Sequence, residues 1–96
     1  MSAFGVVFSD QALSDLESSY EWGCDRWGVD EATNWYFGIQ DAINERLTGF
    51  PLGCPLAPDQ HRFMAETRVL VINRYNVLFN VSRKQVTITH IRGPFT

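Results

Sequence analysis

The chain has 96 residues, of which 45% are hydrophobic and 14% aromatic. This length and composition are typical of one folded domain, residues 1–96, and exclude a disordered tail. The net charge of −3 is unevenly divided, because residues 1–50 hold nine acidic and two basic side chains and residues 51–96 hold two and six. This asymmetry indicates either that the second half faces an acidic partner or that the surfaces of the first half are simply acidic and solvated.

The sequence carries no signal for secretion or membrane insertion. Residues 1–10 lack the basic and apolar segments of a signal peptide, and nowhere do eighteen apolar residues follow one another. The two cysteines are too few for a secreted disulfide scaffold. We therefore expect a cytoplasmic protein that does not contact a membrane.

No motif points to a metal or another cofactor. Residues of zinc-ligating types are Cys24, Cys54, His61 and His90. Their spacing matches no zinc motif, and neither a Gly-rich phosphate loop nor a nucleophile elbow occurs, so we expect no metal and no cofactor. Because Lys84 is the single lysine, clustered phosphate contacts are disfavoured, and we expect no direct sequence-specific DNA binding by this chain alone.

The first half predicts a strand and two helices. Residues 4–8 form a short apolar run typical of a buried strand. Ser9 is placed to cap the first helix, and Gly28 to end it. The apolar stripe of that helix is Leu13, Leu16, Tyr20, Cys24 and Trp27.

The second helix is predicted to be capped by Asp30 and stopped by Gly49 and Pro51. Its apolar stripe is Ala32, Tyr36, Ile39, Ile43 and Leu47. Because only a few residues join the two helices, we expect an antiparallel hairpin whose stripes pack on another apolar surface. Acidic residues such as Asp15 and Glu17 are interpreted as solvated positions on the outer part of the first helix.

The second half predicts a proline-rich loop over 49–62 and then three strands. Residues 67–72 form an apolar, β-branched run, and Asn73 marks a tight turn. In residues 75–81 every second side chain, beginning with Tyr75, is apolar or aromatic, which predicts a half-buried strand. In the last strand Val86, Ile88 and His90 are predicted to share one face. The predicted fold is α+β, strand–helix–helix–three strands, with the helical hairpin packed on a largely antiparallel four-stranded sheet.

This order of elements resembles the RelE/ParE superfamily of toxin–antitoxin toxins, in particular its ParE-like branch. The segments that carry the resemblance are Val7-Phe8-Ser9 followed by Ala12, Asp15 and Leu16, then Cys54-Pro55-Leu56-Ala57-Pro58, Arg68-Val69-Leu70, Tyr75-Asn76-Val77-Leu78-Phe79 and His90-Ile91-Arg92-Gly93. Their order and spacing together, rather than any single segment, support the resemblance.

The resemblance implies the toxin of a type II module that is neutralised by a cognate antitoxin. A ParE-like toxin acts by binding protein, with DNA gyrase as its target. One alternative is a RelE-type endoribonuclease that cuts mRNA on the ribosome, and another is a repurposed, non-toxic binding module of the same fold. Fold alone does not choose among these functions.

A RelE-type nuclease needs a proton acceptor and positive charge at one phosphate. The candidates are Arg62, Glu66, Arg68, His90 and Arg92. The chain departs from the nuclease pattern, since it is acidic overall and has Phe95 where such relatives often carry a tyrosine. His90 is alternatively a hydrogen-bonded residue at a strand end, and Arg68 the ion-pair partner of Glu66.

A binding surface is the better-supported hypothesis. The aromatic residues that exceed what the two inner stripes need are Trp22, Trp27, Trp35 and Phe37. The resemblance implies an antitoxin whose C-terminal segment wraps the toxin, and these side chains are candidates to line its groove. Their alternative role is packing against the proline-rich loop.

Overall fold

The computed structural model describes residues 3–58 and 65–93, and places a helical hairpin on one face of a four-stranded sheet. The elements are β1 (Gly5–Phe8), α1 (Asp10–Trp27), α2 (Val29–Gly49), a short 3₁₀ turn (Pro51–Gly53), β2 (Arg68–Ile72), β3 (Tyr75–Ser82) and β4 (Gln85–Arg92). The strand order is β1-β4-β3-β2, with β1 parallel to β4 and the other pairs antiparallel. The predicted fold class and element order are confirmed. Within the described ranges, no helix combines the length and apolarity needed to cross a bilayer.

β1 is an edge strand, so the prediction of a buried strand is wrong. It pairs only with β4, and its residues alternate between exposed and half-buried. Val6 and Phe8 pack on the core, whereas Val7 is 42% exposed on the other face. A short apolar run does not distinguish a central strand from an edge strand, because both need only one covered face.

The first helix begins where Ser9 predicts, but buries a different face from the one expected. The Ala12 N–H donates to Ser9 Oγ at 3.1 Å, which confirms the cap. The buried residues of α1 are Ala12, Leu16, Ser19 and Gly23. Of the predicted stripe only Leu16 is among them, and Leu13 is exposed. Since α1 packs against both α2 and β4, small side chains occupy the closest approach, and larger ones lie at its flanks.

A single residue, Gly28, joins the two helices. Its φ of 93° is accessible to glycine at little cost, and its N–H donates to the Cys24 carbonyl at 3.1 Å. Because α2 already begins at Val29, the predicted cap at Asp30 is wrong, and that residue lies in the first turn instead. The buried face of α2 is close to the prediction, and consists of Ala32, Ile39, Ile43 and Leu47.

A two-residue turn joins β2 to β3 at the predicted position. Asn73 and Arg74 have φ of 48° and 73°, as a type I′ hairpin turn requires at both central positions. The register that follows places Leu70 opposite Val77 and Ile72 opposite Tyr75, all facing the helices.

A β-bulge interrupts the pairing of β3 with β4 and changes which residues face the core. Phe79 pairs with Ile88, but Leu78 pairs with His90, so that Thr89 is the extra residue. Beyond the bulge Ile91 is buried. The prediction that His90 shares a face with Val86 and Ile88 is therefore wrong, because the alternation resumes one residue later.

Asp15 connects α1 to β4 next to this bulge. Its Oδ2 accepts a hydrogen bond from the Ile91 N–H at 2.9 Å, and its Oδ1 accepts one from Gln11 Nε2 at 2.8 Å. The interpretation of Asp15 as a solvated surface residue is thus wrong, because a backbone donor of the last strand lies within reach. Glu17, two residues farther along α1, is exposed as expected.

Removing the Asp15 carboxylate leaves the Ile91 N–H without this acceptor. We expect Asp15→Ala to lower the free energy of unfolding by about 1–3 kcal/mol, the cost of an unmade, partly buried hydrogen bond. Urea unfolding measures the difference. The control is Ser14→Ala, an exposed neighbour that should change stability by less than about 0.5 kcal/mol. Equal stability of the two variants would show that the contact contributes nothing.

Candidate functional site

The sheet separates the residues predicted for a nuclease. Arg68 pairs with Phe79 and so lies on the face that carries the helices. His90 pairs with Leu78, and two residues later Arg92 lies on the same outer face, because side chains alternate along a strand. The structure therefore brings His90 and Arg92 together, as predicted, but places Arg68 on the opposite side of the sheet.

Arg68 is occupied by structural contacts. Its Nη1 donates to the carbonyl oxygens of Cys54 at 2.6 Å and Leu52 at 3.5 Å, and its Nη2 donates to Glu66 Oε1 at 3.1 Å. The ion pair with Glu66 confirms the structural alternative for Arg68. Its side chain is only 21% exposed, against 64% for Glu66. The less exposed contacts of the guanidinium are its hydrogen bonds to the loop carbonyls, which connect the loop after α2 to β2.

The same loop lies along the outer edge of β2. Leu56 forms an isolated antiparallel bridge with Arg68, and the Ala57 N–H donates to the Thr67 carbonyl at 2.8 Å. Burial raises the pKa of the Cys54 thiol, although the positive charges of Arg46 and Arg68 oppose this shift. The thiol is therefore protonated near neutral pH and is a poor nucleophile.

The predicted nuclease candidates among residues 3–58 and 65–93 fall into two separate pairs. Glu66 and Arg68 are ion-paired on the helix side of the sheet, whereas His90 and Arg92 lie on its outer face, so the four do not form one site. The remaining candidate, Arg62, lies outside the described residues, as does the departure at Phe95. In the same part of the chain, no group of three His, Cys, Asp or Glu side chains is arranged to hold a metal.

Two of the predicted partner-binding residues form one cluster at the turn between the helices. The rings of Trp22 and Trp27 meet edge to face with centroids 5.4 Å apart, and Arg26 Cζ lies 5.1 Å from the centroid of the Trp22 ring. Trp27 is 41% exposed. Gly23 makes room for it, since a Cβ there would lie 3.0 Å from the Trp27 ring.

Trp35 extends this aromatic surface towards the sheet. Its ring packs on Tyr75 with centroids 5.2 Å apart, and its indole Nε1 is buried without a hydrogen-bond partner among the described residues. Burial raises the pKa of the Tyr75 phenol, partly opposed by a hydrogen bond with Ser19, so Tyr75 is not a base at neutral pH. Trp27 and Trp35 line one shallow depression of about 490 Å³. Its other lining residues are Glu31, Asn34 and Asn73.

Phe37 is separated from the tryptophans and belongs to a second surface. It is 60% exposed and meets Tyr36 edge to face at 5.3 Å. The sequence pattern places Tyr20 and Tyr36 in the inner stripes, but both are only half-buried and line a cleft with Phe37 on the outside of the hairpin. The i, i+3 spacing alone does not reveal this, because a wide apolar stripe has flanks that point outward.

The fold is similar to that of a chain from the chromosomal ParDE toxin–antitoxin system of P. aeruginosa. The two superpose with a TM-score of 0.78 at 17% sequence identity, over 95% of this chain and 96% of the other. The chain matches no protein-family model, and no curated protein matches it in sequence. The protein therefore has the fold of ParE/RelE-type toxins, as its resemblance to that superfamily predicts.

The contacts of Arg68 predict a structural rather than a catalytic phenotype. We expect Arg68→Ala to lower the free energy of unfolding by about 1–2 kcal/mol, because the Cys54 carbonyl loses a charged donor. Glu66→Ala should cost less than about 0.5 kcal/mol, because that carboxylate is exposed. Urea unfolding of both variants tests this. Equal losses would mean that the ion pair, not the bond to the loop, makes the contribution.

Proposed function

We propose that this chain is the toxin of a type II toxin–antitoxin module, ParE-like, which acts by binding protein. DNA gyrase is the proposed target, and a cognate antitoxin is the proposed inhibitor. The observation that carries the proposal is the similarity of fold, over nearly the whole of both chains, to a chain of a ParDE toxin–antitoxin system. The residue-level resemblance of segments in β2 and β3 supports the same superfamily, and that of the loop at 54–58 supports its ParE-like branch.

Action by binding rather than by cleavage is supported by the arrangement of side chains. Arg68 is held by the Cys54 carbonyl and Glu66, and the sheet lies between it and His90. The surfaces that are built from exposed aromatic rings lie on the helical hairpin instead, around Trp27 and around Phe37. Rings of this kind, exposed in the free protein, are typical of contact surfaces for another protein.

The proposed antitoxin contact is the aromatic surface at the end of the hairpin. The rings of Trp22 and Trp27 meet edge to face there, and Trp27 and Trp35 share one depression. A hydrophobic face of a partner helix or strand would bury these rings, and the amides of Asn34 and Asn73 at the border offer hydrogen bonds. Phe37 is proposed to contact the partner farther along the same hairpin.

The RelE-type alternative has one observation in its favour. His90 and Arg92 share the outer face of the sheet, where Arg92, Asn76 and Leu78 line a second depression. A histidine and an arginine on one surface are suitable for acid–base and phosphate contacts. This alternative predicts a ribosome-dependent activity that requires His90.

Tightly induced expression in a bacterial host, with a DNA-damage reporter in the same cells, tests the target. We expect growth arrest with the reporter switched on, because a poisoned gyrase leaves broken DNA. Arrest without the reporter, together with mRNA cleavage that His90→Ala abolishes, would replace gyrase by the ribosome. Undisturbed growth at confirmed soluble expression would leave a non-toxic binding module.

The antitoxin contact is tested with the cognate antitoxin, taken as the protein that co-purifies with this chain and restores growth when it is co-expressed. We expect Trp27→Ala to weaken their complex by at least about tenfold, since truncating a central interface tryptophan commonly costs 2 kcal/mol or more. The matched control is Phe50→Ala, because Phe50 is 76% exposed at the other end of α2. Calorimetry measures both affinities. Equal weakening, or none, would place the interface elsewhere.

A further inference from the structure

A cleft between the outer sides of the two helices is lined mainly by aromatic rings. Glu17 and Tyr20 contribute from α1, and Thr33, Tyr36 and Phe37 contribute from α2. Three- and four-residue spacing on each helix places these side chains on one surface. The cleft has a volume of about 230 Å³, which is below the roughly 300–1,000 Å³ of sites for drug-sized molecules, and suits one long side chain.

The three rings form walls at steep angles to one another. The Tyr20 and Tyr36 centroids are 5.4 Å apart with an interplanar angle of 63°, and those of Tyr36 and Phe37 are 5.3 Å apart at 83°. The Tyr20 hydroxyl and Thr33 Oγ1 lie 3.3 Å apart, within hydrogen-bond distance across the helices. A cation within about 6 Å of such ring faces is attracted by their quadrupoles.

The electrostatic surroundings of the cleft favour positive charge. Glu17 supplies a carboxylate to its lining, and Glu21 and Asp41 lie exposed one turn away from Glu17 and Phe37. Residues 10–49 hold nine acidic and only two basic side chains. Neither basic side chain lines the cleft, because Arg26 lies over Trp22 and Arg46 is next to the Cys54 region.

We propose that this cleft binds a cationic side chain, arginine in first place, carried by a basic segment of a partner protein. The rings of Tyr20, Tyr36 and Phe37 contact the flat guanidinium and its aliphatic stem, and Glu17 accepts its N–H groups. The acidic hairpin attracts the rest of the segment. The inference does not depend on toxicity or on which protein carries the segment, so a failure of the growth experiment leaves it unaffected.

NMR titration of the intact protein tests the site, with aromatic resonances as the readout. The probe is the blocked peptide acetyl-Gly-Gly-Arg-Gly-Gly-amide, and its control carries citrulline, the uncharged analogue of arginine. We expect saturable shifts at Tyr20, Tyr36 and Phe37 with millimolar affinity. Citrulline should bind about fivefold more weakly, in line with an exposed cation–π contact of about 1 kcal/mol.

Variants at the surface identify which groups hold the cation. Glu17→Gln and Phe37→Leu should each weaken binding by about threefold or more, because they remove the carboxylate and one ring face. The matched controls are Glu45→Gln and Phe50→Leu, which change an exposed acid and an exposed phenylalanine outside the lining and should leave the affinity unchanged.

Three results would overturn the proposal. The first is the absence of saturable shifts at about 50 mM peptide, well above the affinity expected of a cation–π site. The second is equal binding of the arginine and citrulline peptides, or equal losses in the variants and their controls. The third is tighter binding of tetramethylammonium than of the arginine peptide, which would indicate a site for a small quaternary amine.

Discussion

The bulge in β4 and the carboxylate beside it determine how the last strand is used. If β4 were a regular strand without the bulge at Thr89, strict alternation would bury His90 and expose Ile91. With it, Ile91 completes the core, its N–H reaches Asp15 on α1, and His90 and Arg92 turn to the outer face. The bulge therefore determines which side chains of β4 pack on the helices and which lie on the outer face, and the hydrogen bond that Ile91 N–H donates to Asp15 on α1 stabilises this arrangement.

The sequence predicts the features that depend on local chemistry. The Ser9 cap, the end of α1 at Gly28, the turn at Asn73 and the buried face of α2 all follow from preferences within a few residues. The edge position of β1, the bulge and the small-residue face of α1 do not, because each depends on what another part of the chain brings next to it. Local pattern cannot show that Ala12 and Ser19, rather than Leu13 and Tyr20, are fully buried.

The difference between local sequence preferences and contacts with distant segments also explains which residues of the candidate sites the sequence predicts. The sequence predicts tryptophans in excess of what the inner stripes need, and of these Trp27 is exposed whereas Trp22 and Trp35 are half-buried. Tyr20 and Tyr36 were missed, because side chains at the border of an apolar stripe have the same spacing as those at its centre. Arg68 and Arg92, the two nuclease candidates with a guanidinium in a strand, lie on opposite faces of the sheet. Which face each occupies depends on its pairing partner in the neighbouring strand, which the sequence pattern does not show.

The single-residue connection at Gly28 has a consequence for recognition. A linker of one residue gives the hairpin no hinge, and the helices are further joined across their outer side by Tyr20 and Thr33. The tryptophan cluster and the aromatic cleft thus lie on one rigid body, at fixed separation. When one partner contacts both surfaces, this protein loses little conformational entropy. The second contact therefore adds nearly all of its own binding free energy to that of the first.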